Sequence, residues 1–149
     1  MKTVNNLKIF CVDDELFTLQ LSEQVLKNLE YTDVSIFQNG SDCLAHLNEN
    51  PDVVFLDYNM SGLNGLDVLK EIKKYNPSIY VVMLSAQTNK EITLETIDYG
   101  AFTFMKKEGN LHDNLASIMD KIAPRISAVQ SFLSLTSNAL KPTKFSRAS

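Results

Sequence analysis

Four apolar runs in this 149-residue chain end in side chains that can do chemistry. LKIFCV (7–12) leads into Asp13, Asp14 and Glu15, and VVFL (53–56) leads into Asp57. IYVVML (79–84) ends at Ser85, and FTFM (102–105) at Lys106 and Lys107. Asp57 poses the sharpest question, because an unpaired charge at the end of a core segment is costly and needs a partner or a task. Taken singly, each residue has a plainer role. Asp14 could cap a following helix, Ser85 another, and paired lysines are usually solvated. Brought to one rim, they can do more. Clustered carboxylates raise one another's pKa unless a cation sits among them. Hard oxygen ligands with room for water suit Mg²⁺. A carboxylate can itself be the nucleophile and form an aspartyl phosphate. The group in transfer then needs cations and donors on its oxygens, which Mg²⁺, Ser85 and a lysine would supply. On this reading Asp57 is a phosphoacceptor.

One architecture would bring these residues together. The four runs and VSIF (34–37) are short and largely β-branched, with helical patterns between them. Leu16, Leu19, Val25, Leu26 and Leu29 mark one helix, and Cys43, Leu44 and Leu47 a second. Leu66, Val68, Leu69 and Ile72 mark a third, Ile92, Leu94, Thr96 and Ile97 a fourth, and Leu111, Leu115, Ile118, Met119 and Ile122 a fifth. Turn signals fall between them at Asn39-Gly40, Asn50-Pro51, Asn76-Pro77, Gly100 and Gly109. Alternating strands and helices predict an α/β fold, a doubly wound five-stranded parallel sheet with helices on both faces. Ligands in such sheets bind beyond the carboxyl ends of the strands, where the candidate residues lie. Residues 124–149 fall outside the pattern. Pro124 is expected to restart the chain into an extra helix marked by Ile126, Val129, Phe132, Leu133 and Leu140, before the polar end KPTKFSRAS. The reading is therefore a domain over 1–123 and a helical extension with a polar tail over 124–149. That extra helix docks on the domain or pairs with a partner, a second copy included.

Composition narrows the classes. A hydrophobic fraction of 44% with 21% charged residues is that of a globular domain able to build a core. A net charge of −4 argues against attraction to nucleic acid or anionic membranes. No apolar stretch reaches the roughly 18 residues needed to span a bilayer. MKTVNNLKIF shows no secretory signal pattern, so a cytoplasmic location is expected. Cys11 and Cys43 form no metal or disulfide spacing, and His46 and His112 lack ligand partners.

Over residues 7–123 the chain resembles the receiver domain of two-component response regulators. Asp13-Asp14 match the family's acidic pair, Asp57 its phosphorylated aspartate, and Gly65 the glycine eight positions on. Ser85-Ala86 match the hydroxyl and small residue after the fourth strand, and Phe104 falls at the switch aromatic. The resemblance implies a flavodoxin-like (βα)5 fold. It also implies Mg²⁺ bound by Asp13, Asp14, Asp57 and the backbone carbonyl of Asn59. Lys107, seven positions after Gly100, is the implied site lysine. The implied function is a non-enzymatic, single-domain regulator phosphorylated by a histidine kinase or phosphotransfer protein. Output to an unknown protein would pass through residues 89–122. Two positions depart from the family. Ser61 replaces the proline after Met60, and Glu108 replaces the proline after the lysine, so no cis bond is expected there. A receiver within a longer regulator is one alternative. A Mg²⁺-dependent aspartyl-phosphate hydrolase is another, although its Asp-x-Asp pattern is absent and Asn59 is no general acid. A nucleotide- or flavin-binding module fits less well, since Asp13, Asp14 and Glu15 would repel phosphate.

Overall fold

The structure is a computed structural model that describes residues 6–87 and 89–140, with side chains described to residue 137. The Leu140 side chain and the KPTKFSRAS end lie outside the described residues. Five strands, β1 (Lys8–Val12), β2 (Asp33–Phe37), β3 (Val53–Asp57), β4 (Tyr80–Ser85) and β5 (Thr103–Lys106), form one parallel sheet in the order β2-β1-β3-β4-β5. Every residue of β3 is buried, which suits a central strand with both faces covered. Alternation divides the strands between two cores. Ile9, Cys11, Val53, Phe55, Val82 and Leu84 meet helices α1 (Leu16–Asn28) and α5 (Leu111–Leu140) on one face. Phe10, Val12, Val54, Leu56, Val81 and Met83 meet α2 (Gly40–Ala45) and α3 (Gly65–Tyr75) on the other. A short 3-10 turn at Leu47–Glu49 leads into β3.

Helix starts follow a common device. Asn39, Asn64, Asn89 and Asn110 each accept backbone N–H bonds at the openings of α2, α3, α4 (Lys90–Asp98) and α5. Helix α1 differs: its N-cap is Glu15, which makes no side-chain cap bond. The carboxylates beside it face elsewhere. The weakly patterned α4 forms all the same, burying only Thr96, with Leu94 and Ile97 exposed.

The helix expected after Pro124 is present, but as a continuation of α5 rather than a restart. Proline lacks the N–H that would bond back four residues. Residue 124 is exposed, so this gap in the ladder lies at the surface and the helix runs on to Leu140. At 1.5 Å per residue α5 is about 45 Å long.

Candidate functional site

Adjacent strands β1 and β3 send their helices to opposite faces, α1 to one and α3 to the other, which opens a crevice at their carboxyl ends. Asp13 and Asp14 enter it directly after β1, and Asp57 ends β3. One carboxylate oxygen from each of the three lies within 4.8 Å of the others. Asp13 and Asp57 are buried and Asp14 is exposed. Ser85, at the end of β4, is 2% exposed, and its hydroxyl accepts from Asn59 Nδ2 at 3.3 Å and from the Gln87 N–H at 3.3 Å. It therefore does not cap α4. Nor does Asp14 cap α1, because its Oδ2 accepts from the Ser61 N–H at 3.4 Å.

The lysine pair separates cleanly. Lys107 reaches Asp13 Oδ2 at 2.5 Å and Asp57 Oδ1 at 3.2 Å. Lys106 turns to solvent and pairs with Glu108 at 3.0 Å. The register explains this, since Ser85 is paired with Lys106 in the sheet and its carbonyl accepts from the Lys107 N–H at 2.7 Å. Phe104 lies on the α3 side, half-buried, with its ring 6.2 Å from that of Tyr58. The peptide bonds of the described residues are all trans, as the replacement of the second family proline by Glu108 implies.

Charge sets the character of the rim. Three carboxylates face one ammonium, an excess of two negative charges. Burial pushes the Asp57 carboxyl up to about 6, and the charge of Asp13 adds to the shift against the opposing pull of Lys107 and the Asn59 backbone. Burial alone would lower the Lys107 pKa, but its ion pairs with Asp13 and Asp57 outweigh it and hold the ammonium above its ordinary value. The oxygen-only donor set, its geometry and its excess charge fit a small divalent cation such as Mg²⁺. Thermal melts with Mg²⁺ in millimolar steps are expected to rise, by about 2.7 kcal/mol at 100 times Kd. Asp14→Asn should blunt the response, and flat melts of the parent protein would remove the metal site from the account.

Gly65 holds the crevice narrow. A Cβ there would lie 2.5 Å from the Asp57 carbonyl oxygen and 2.7 Å from Tyr58 Cα, so α3 could not start so close to β3 with any other residue. Two features of the rim were not read from the chain itself, the Asn59 side chain on Ser85 and the Tyr58–Phe104 contact. The Asn-x-x-Asp spacing at 39–42, 64–67 and 110–113 did carry a signal for helix starts.

Known proteins share this fold. The family described as response regulator receiver domain matches residues 9–119. The chain is 31% identical over 102 residues to the chemotaxis protein CheY of Listeria monocytogenes, covering 68% of this chain and 86% of that protein. It is 32% identical over 143 residues to a protein-glutamate methylesterase/protein-glutamine glutaminase of Carboxydothermus hydrogenoformans, covering 93% of this chain but only 42% of that protein. It thus spans less than half the length of that relative. Among solved structures, a response regulator receiver domain protein from Clostridium thermocellum superimposes with a TM-score of 0.74 and 28% identity, over 83% of this chain and 98% of that one.

Proposed function

Because the chain belongs to the response regulator receiver domain family, we propose that it is a phosphorylation-dependent signalling switch whose phosphoacceptor is Asp57. The observation that carries this reading is the ring of Asp13, Asp14, Asp57 and Lys107 on one rim. The donor is a phosphohistidine of a histidine kinase or phosphotransfer protein. An Asp57 oxygen attacks phosphorus, the P–N bond breaks with its electrons remaining on the imidazole, and an acyl phosphate forms on Asp57. Lys107 neutralises charge on the transferred oxygens, and Ser85 donates to one of them. Asp13, Asp14, Asp57 and the Asn59 carbonyl would hold Mg²⁺, which supplies further positive charge to the phosphoryl oxygens. The product stays covalently attached, so the protein signals rather than turns over substrate. This holds whether the receiver stands alone or forms part of a longer regulator. Among the described residues no helix is long and apolar enough to cross a membrane, and the free, buried thiols of Cys11 and Cys43 fit a reducing cytoplasm.

Incubation with a small acyl phosphate or phosphoramidate tests the assignment. A Mg²⁺-dependent, hydroxylamine-labile phosphate on the protein is expected. Its absence with every donor would end the reading.

Output is proposed to pass through residues 89–122. Once phosphorylated, Asp57 draws the Ser85 hydroxyl from its Asn59 contact, and Phe104 turns inward from its half-buried position against Tyr58. That Ser85–phosphoryl bond is the differential contact any such shift requires. Phe104→Ala is expected to leave phosphorylation intact while cutting the phosphorylation dependence of partner capture roughly 10-fold, a typical coupling. Unchanged dependence would show that the ring is only core.

A further inference from the structure

Beyond residue 125, α5 leaves the domain but keeps its apolar seam. Leu115, Met119 and Ile122, all nearly fully buried, pack into the core at spacings of four and three. The same spacing continues through Ile126, Val129 and Leu133. Past Ile126, which still packs against the core, the seam is uncovered. Val129 is 54% exposed, Phe132 66% and Leu133 58%. The opposite side is serine, at Ser127, Ser131 and Ser134, and residues 126–140 contain no charged side chain. Where the helix leaves the sheet it forms one wall of a cleft of about 580 Å³ at the base of the domain. Pro51 and Tyr80 lie on the other side, and Ile126, Val129 and Gln130 line the helix wall. Within this wall the buried Gln130 Oε1 has no hydrogen-bond partner.

We propose that a second copy of this chain covers the seam, the two α5 extensions packing antiparallel so that each lays Phe132 and Leu133 across the partner's basal cleft. Three arguments select this occupant. An uncharged face is complementary to itself and meets no repulsion across a two-fold axis, whereas discrimination among foreign partners generally uses charge. Orientation follows from phase. The exposed seam is in register with the one that faces the sheet, so a parallel partner lying on it would run on into the first copy's own core. An antiparallel partner instead carries its domain beyond the free end of the helix. Finally, four side chains, Ile126, Val129, Phe132 and Leu133, at roughly 60–120 Å² each, bury on the order of 500–1,000 Å² over both copies. That is the size of a weak, reversible interface. In the pair both Asp57 rims point outward, open to phosphodonors, so association does not depend on the phosphoryl chemistry.

Sedimentation equilibrium of the full chain tests this. A 16.8 kDa monomer is expected at low micromolar concentration, converting to dimer towards millimolar. Leu133→Glu, which buries two carboxylates per dimer, should weaken association at least ~100-fold while the circular dichroism of the monomer is unchanged. For orientation, nitroxides are placed at Ser131→Cys or Ser117→Cys, the native thiols being buried. Antiparallel packing gives a short distance between the residue-131 labels and roughly 40 Å between the residue-117 labels, from the helical rise. Short distances at both positions would overturn the proposal. So would a chain that stays monomeric, including one that instead co-sediments with phosphatidylcholine vesicles.

Discussion

Asp57→Asn abolishes phosphate incorporation, by at least ~10³-fold, and makes the metal-free protein more stable. The first effect follows from chemistry, because an amide is a poor nucleophile and cannot form the acyl phosphate. The second follows from the site's electrostatics. Burial and Asp13 raise the folded-state pKa of Asp57 from the ordinary 3.8 to about 6. A raised pKa contributes stability that is full below 3.8 and is lost as pH rises through about 6. At neutral pH the ionised carboxylate is therefore a net cost. The carboxylate is nearly enclosed but the rim opens to water, so the cost is of order 1–2 kcal/mol rather than the full shift. In chelator at pH 7.5 the asparagine variant should melt roughly 3–8 °C higher than the parent. Its melting temperature should also be flatter between pH 4 and 7. A variant that still takes up phosphate would move the acceptor elsewhere, and one that melts lower would contradict the charge account.

The two lysines of FMKKEG should then behave as opposites. Lys107→Ala removes the cation that pairs with both Asp13 and Asp57. Phosphorylation by a small donor should slow about 10–100-fold, in line with losing one electrostatic stabiliser of a transferring group. The metal-free fold should lose about 1–2 kcal/mol, because two buried carboxylates are left facing each other. Lys106→Ala loses only an exposed pair with Glu108, worth about 0–0.5 kcal/mol, and no contact with the rim. Parallel labelling time courses and melts of the two variants check this. A damaging Lys106→Ala with a silent Lys107→Ala would mean that the end of β5 is out of register.

Much of this was legible in the chain because parallel sheets announce themselves. The unbroken apolar run of Val53, Val54, Phe55 and Leu56 suits a strand covered on both sides, and the candidate residues followed such runs one by one. The choice of Lys107 over Lys106 rested on the spacing from Gly100 in the resembled family, and it is Lys107 that pairs with Asp13 and Asp57. The continuity of α5 was harder to read. Pro124 looks like a boundary, yet on an exposed side of a helix a missing N–H costs little that water cannot make good. Helix α4 was faint for a related reason, since it buries little more than Thr96 and so leaves little periodicity to detect. The Tyr58–Phe104 contact left no trace because side chains distant in sequence meet only once the sheet has formed.

The ion pair between Lys107 and Asp13 joins residues 94 positions apart. Its two ends come from the loop after the first strand and the loop after the last. A contact of that span closes most of the domain, and contacts between residues so distant in sequence form slowly. A ribosome-bound nascent chain that has emerged only through β4 therefore carries every carboxylate of the rim without its balancing ammonium. On the proposed function, full competence to take up phosphate arrives only with the last strand, so acyl phosphate uptake should quicken as that strand docks.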